Sequence, residues 1–146
     1  MASVHDVAAY ILKHHGRMTT MKLQKLCYYS QGWSLAWDGV PLFDDEIQAW
    51  ANGPVVYALF KEHRGKFTVE DWPRGNVDHL TQDQRETIDA VIEAYGALTG
   101  QQLSDKTHRE RPWREARGTT PVGEASQAVV DLDTMQEYFG GLDELS

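Results

Sequence analysis

The sequence predicts a mainly α domain of the α+β class: a single compact helical unit over residues 1–146 with a small β element of two or three short strands. Three observations predict it. Apolar residues return at i, i+3, i+4 and i+7 through most of the chain, the period of one helix face. Polar and apolar residues alternate only near Glu46, Ile47, Gln48 and Ala49, with a second β signal at Val129 and Val130. The composition is 41% hydrophobic in 146 residues, including five Trp, six Tyr and four Phe, enough apolar side chain to offset the ordering entropy of a folded chain.

The first helix is expected at residues 3–15. Ser3 and Asp6 have capping-box spacing, Val4, Val7, Ala8 and Ile11 make one stripe, and Gly16 ends it. A second helix follows Thr19 or Thr20, either a good N-cap, and runs over 20–37 with Leu23, Leu26, Cys27, Ser30, Ser34 and Trp37 on one face. Tyr28, Tyr29, Trp33 and Leu35 fall outside that face, and a helix apolar around so much of its circumference is touched on several sides, which places it at the centre of the core. Asp38 and Gly39 turn the chain, and residues 46–51 read as a half-buried strand.

Pro54 after Asn52 and Gly53 predicts a helix starting at Pro54, because a proline suits the first helical position, and continuing through Val55, Val56, Leu59 and Phe60 to Gly65. Residues 65–79, with Gly65, Pro73 and Gly75, read as loop with room for one strand around Phe67 and Val69. The clearest amphipathic helix is 81–98, with a cap at Thr81 and Ile88, Val91, Ile92, Tyr95 and Leu98 at helical spacing. Short helices at 101–108 and 112–117 come next, then a loop at 118–126 and a short strand at Val129 and Val130. Asp133 with Gln136 opens a final helix through Met135, Tyr138 and Phe139.

The formal charge is −8, from 14 Lys and Arg against 22 Asp and Glu, which repels a phosphate backbone, so nucleic acid is not an expected partner and a basic or neutral one is. The densest basic run, Lys106, Arg109, Arg111, Arg114 and Arg117, is broken by Glu110 and Glu115 and reads as a mixed charged surface. No membrane-length apolar stretch and no signal-peptide pattern are present, and a single Cys27 fits a reducing compartment, so a cytoplasmic location is expected with no membrane partner.

Six His show no ligand spacing and the lone thiol has no Cys partner, so neither a metal nor a cofactor is expected. Cys27 falls in the apolar stripe of the central helix, where a thiol is a small inert hydrophobe. The acidic run Asp44, Asp45 and Glu46 lacks the spaced oxygens of a calcium loop and reads as a solvated turn. Trp33, Trp37 and Trp50 lack the Lys and Arg of a base-stacking platform and are expected in the core. Around Leu103, Ser104, Thr107, His108, Glu110, Pro112 and Trp113 two helical turns meet at a proline, which makes either a buried polar knot that satisfies freed backbone groups or a site.

The block MTTMKLQKLCYYSQGW from Met18 to Trp33 is followed by Pro41-Leu42-Phe43, EIQAW from Glu46 to Trp50, Asn52-Gly53-Pro54-Val55-Val56, and Leu103-Ser104, Thr107-His108, Glu110 and Pro112-Trp113. In order and spacing these blocks resemble the Panacea domain family of SocA-like antitoxins and phage-associated GepA-like proteins, over about residues 5–140. The resemblance implies a mainly helical domain with a small β element, and the antitoxin half of a toxin–antitoxin pair often carried by phages, prophages or mobile elements. Such antitoxins neutralise toxins by direct contact, which makes the toxin of the adjacent gene the expected partner. At least one acts as a proteolytic adaptor, which adds a Clp-type protease; homo-oligomerisation stays open. Some members carry an extra DNA-binding segment, whereas this chain begins at the domain, so autoregulation by its own helix-turn-helix is not expected.

The family brings no catalytic residues, and none is assigned: the protein is expected to be no enzyme. The expected contact residues are Trp50, Asn52, Gly53, Pro54, Val55 and Val56 at the turn, with His108, Glu110 and Trp113. The alternative is a small hydrolase-like enzyme using His108 and Glu110; a His and a Glu without a nucleophile or third group speak against it.

Overall fold

In the computed structural model, residues 2–142 and 145 are described. The elements are α1 (Val4–His15), β1 (Met18–Thr19), α2 (Thr20–Asp38), β2 (Ile47–Trp50), β3 (Gly53–Val56), α3 (Tyr57–His63), β4 (Thr68–Val69), a 3-10 turn (Val77–His79), α4 (Gln82–Tyr95), α5 (Gly100–Thr107), α6 (Arg111–Arg117) and α7 (Leu132–Gly140). The fold is therefore helical with two small antiparallel ribbons, β1 with β4 and β2 with β3. No helix among the described residues is long and apolar enough to cross a membrane.

Helix α2 is the centre, with α4, α5, α7 and β3 packed around it. Its buried residues run without a break from Leu23 to Leu35, which is why no single apolar stripe describes it. Tyr28, Tyr29 and Trp33 are all buried and meet the ring of Phe139 from α7. Tyr29 also stacks on Tyr95 of α4 at 4.4 Å, while the Trp33 indole donates to the Tyr95 hydroxyl at 2.9 Å. Cys27 is buried here, and burial pushes its thiol well above the ordinary range, so it is inert at neutral pH.

Two buried glutamines on this otherwise apolar helix act as substitute backbone. Gln31 accepts from the N–H groups of Leu42 and Phe43 and donates to the Phe43 carbonyl at 2.8 Å, fixing the chain after the helix. Gln24 does the same for β3, accepting from Val56 N–H at 2.8 Å and donating to its carbonyl at 3.2 Å. Such groups must be satisfied when buried.

Five expectations are corrected. Pro54 opens no helix: residues 53–56 are β3, and α3 begins at Tyr57. Pro54 pairs with Ala49, whose N–H turns away to the Ala128 carbonyl, so the ladder requires no N–H from Pro54 at that position. Trp37 is 48% exposed and lies tilted against Trp33 at 5.1 Å rather than entering the core, because the part of α4 beside it is the polar Asp83, Glu86 and Thr87. Arg117 is buried instead of lying on a charged surface. Asp45 does not stay in a solvated turn; its carboxylate accepts from Val4 N–H at the start of α1, where the helix dipole favours it. The last helix is capped by Asp131, which accepts from Thr134 N–H, rather than by Asp133.

The capping box at Ser3 and Asp6 forms as expected, as does that at Thr81 and Gln84. Val129 makes one bridge to Gln48, and Val130 N–H donates to the Ile47 carbonyl at 2.7 Å, so this segment extends the far edge of β2 by a fragment of strand.

Candidate functional site

The turn from β2 to β3 is built around Gly53, whose φ of 120° falls in the region favouring glycine. A Cβ there would also lie 2.5 Å from Cε of Lys25, so the turn needs glycine for its backbone and for the close approach of α2. Lys25 is itself only 2% exposed, and burial pushes its ammonium down to about 8.

The α5–α6 segment holds this turn by its carbonyls. Arg117 donates to Ala49 at 3.0 Å, the Trp113 indole donates to Trp50 at 2.8 Å, and the Ser104 hydroxyl donates to Asn52. Three of the four carbonyls from Ala49 to Asn52 are thus fixed by three side chains from one stretch of sequence. Arg117 reaches on to the carbonyls of Pro121 and Glu124, which ties the following loop to the same point. Its guanidinium lies 4.9 Å from the Trp113 ring, and His108 stacks on that same ring at 4.2 Å.

The structure brings the expected residues together and separates them by accessibility. Asn52 is exposed, Trp50 and His108 are half-buried, and Gly53, Pro54, Val55, Val56, Glu110 and Trp113 are buried. Trp50, Asn52 and Val55 line one side of a mostly apolar groove of about 310 Å³, with Ala125, Ser126 and Gln127 opposite. On its other side the Trp50 ring meets Phe60 edge-on at 4.8 Å and Tyr57 at 6.4 Å.

His108 and Glu110 do not form one constellation. Glu110 turns into the core, where it accepts from the Tyr29 hydroxyl at 3.1 Å, and burial pushes its carboxyl up to about 7. His108 is lowered by burial and stacks on Trp113; among the described residues no hydrogen bond joins it to Glu110. Its Nε2 is buried and unpartnered. Among the described residues no group of three His, Cys, Asp or Glu is placed to hold a metal ion.

Sequence reasoning found the two motif blocks but missed Lys25, Gln24 and Arg117. The signal for the first two was present, since a polar residue in a helix apolar on all sides has to be buried with a partner or a purpose. Arg117 gave none: its partners lie up to 68 positions away.

Comparison with known proteins gives one family. The model for the antitoxin SocA-like, Panacea domain matches residues 23–114, which takes in α2 from Leu23, the hairpin and the α5–α6 block up to Arg114. No curated protein and no solved structure matches the chain.

Proposed function

The chain belongs to the antitoxin SocA-like, Panacea-domain family, and on that premise we propose that it is the antitoxin of a toxin–antitoxin pair, a cytoplasmic binding module that neutralises the toxin of the adjacent gene by direct contact. The observation that carries the reading is the immobilised turn, with the carbonyls of Ala49, Trp50 and Asn52 held by Arg117, Trp113 and Ser104. A rigid turn beside an apolar groove and a half-buried Trp has the features of an interface anchor, because ordering is complete before binding and aromatic side chains dominate interface energy.

The same contacts support a non-enzymatic role. Ser104 is committed to Asn52, Cys27 is inert in the core, and His108 and Glu110 serve different partners. None of these four groups is a nucleophile with an adjacent base.

The test is direct. Expressed alone, the product of the neighbouring reading frame should arrest growth, co-expression of this protein should restore it, and the two should co-purify in stoichiometric amounts. A harmless neighbour, or rescue without any physical complex, would overturn the reading.

A further inference from the structure

The aromatic cluster that begins at Trp50 continues onto α3 and carries two cations. Phe60 stands between Trp50 at 4.8 Å and Tyr57 at 6.1 Å, and Tyr57 is 37% exposed. The ammonium of Lys61 lies 5.8 Å from the Tyr57 ring and the guanidinium of Arg64 5.4 Å from the Phe60 ring. Both cations are exposed, and among the described residues no carboxylate forms a salt bridge with either. Other exposed cations, such as Lys13, Lys66, Arg109 and Arg114, also lack a salt bridge among the described residues; Lys61 and Arg64 differ in that each lies over an exposed or half-buried ring. In a chain with 22 acidic residues and a formal charge of −8, these neighbouring cations give the aromatic surface two exposed positive charges with no salt-bridge partner among the described residues.

We infer that this surface, Trp50, Tyr57 and Phe60 with Lys61 and Arg64, docks an acidic segment of the protein partner, with carboxylates meeting the two cations and an apolar side chain entering the groove beside Trp50. The inference rests on the antitoxin reading and gives the partner its chemistry. Net charge alone asks for a basic partner, but charge acts over about a Debye length of 8–10 Å, so the pairs formed at contact are set by the cations on this patch. Each ring already orients its cation, so less side-chain freedom is lost when a carboxylate arrives. The groove of about 310 Å³ shares Trp50 with the aromatic cluster, which makes the charged and apolar contacts continuous. Single-stranded nucleic acid also uses rings and cations, but it needs a track of positive charge along its backbone, and two cations on a −8 chain do not make one.

The experiment measures affinity for the neighbouring gene's product as a function of salt. It compares wild type, Lys61→Glu with Arg64→Glu, and a matched control, Lys13→Glu with Arg114→Glu, exposed cations without salt bridges among the described residues whose reversal changes net charge equally away from α3. The expected result is binding weakened about tenfold or more by the first pair, with a flatter salt dependence, little effect of the control, and unchanged melting for both. Equal effects of the two pairs, no effect of either, or tighter binding after reversal on α3 would overturn the acidic-segment inference while leaving the antitoxin reading intact. Loss of binding by wild type itself would remove both. A single-stranded oligonucleotide that binds the patch at physiological salt and displaces the toxin would assign the surface to nucleic acid and overturn the inference.

Discussion

Gly32 of α2 lies flat against the ring of Phe139 of α7, so close that a Cβ on Gly32 would overlap three ring carbons. This contact sets the distance between the central helix and the last one. The ring cannot swing away, because Tyr28, Tyr29, Trp33 and Tyr138 surround it.

Gly32→Ala is therefore expected to destabilise, although alanine in an exposed helix interior would gain close to 1 kcal/mol over glycine. Overpacking of this kind costs about 1–3 kcal/mol and outweighs the propensity gain. Thermal melting should show the loss, and adding Phe139→Leu to Gly32→Ala should return part of it. An unchanged or raised melting temperature for Gly32→Ala would show that α7 can shift outward freely.

Gln31→Met should cost stability with almost no change in volume. It would orphan the buried N–H of Leu42 and of Phe43 and the Phe43 carbonyl, at about 1–3 kcal/mol for a group left unsatisfied. Hydrogen exchange at the Leu42 and Phe43 amides should accelerate more than at α4. Leu26→Ala, which removes a fully buried side chain of α2, is expected to cost about 2–5 kcal/mol by cavity formation, read as a lower urea midpoint with uniform loss of protection.

What could be read from the sequence was what local pattern specifies. Tyr28, Tyr29, Trp33 and Leu35 beside Leu23 and Leu26 marked α2 as central, and Ser3 with Asp6 and Thr81 with Gln84 marked two helix starts. The hairpin was half legible, since β2 alternates, whereas β3 is a run of Gly53, Pro54, Val55 and Val56 that is buried throughout, and its proline carries an equally good local signal for a helix start. Strand pairing decided it, and pairing is not local. Met18 and Thr19 pair with Val69 and Thr68 across some fifty residues in a two-residue ribbon too short for any alternation to show. In the site, the blocks around Trp50 and Trp113 were each visible, but their joining through Trp113 to Trp50, Arg117 to Ala49 and Ser104 to Asn52 is tertiary.

Glu110 gives stability a pH dependence of known sign. Its carboxyl is raised from an ordinary 4.5 to about 7, first by burial, against the opposing hydrogen bond from Tyr29. The folded state thus binds the proton more tightly than the unfolded chain, so the contribution is complete below about 4.5 and is lost as pH rises through about 7, by roughly 3 kcal/mol in all. His5, His63 and His108, all lowered by burial, act oppositely and lose stability as pH falls below 6.5. The difference between wild type and Glu110→Gln isolates the carboxyl: the variant should gain on wild type steadily from pH 4.5 to 7.5 in urea midpoints. A pH-independent difference would show that Glu110 ionises normally.

Variants at Trp113 and Asn52 separate holding the turn from the proposed contact with a toxin. Trp113→Ala removes a buried indole, at about 3–5 kcal/mol, and should lose melting temperature and toxin binding together. Trp113→Phe keeps a ring against His108 and Arg117 but deletes the donor to the Trp50 carbonyl, a bond of 2.8 Å, so about 0.5–1.5 kcal/mol is expected with a modest loss of affinity. Asn52 is exposed at the tip of the turn, and Asn52→Ala should stay within about 0.5 kcal/mol of wild type while weakening toxin binding, since its Ser104 contact uses the backbone carbonyl that alanine retains. His108→Gln loses the stack on Trp113 and fills the place of an unpartnered Nε2, so growth rescue at matched protein levels should track whatever affinity remains. If His108→Gln abolished rescue while fold and toxin affinity stayed at wild-type values, contact would no longer account for neutralisation, and His108 would have to act on something chemically.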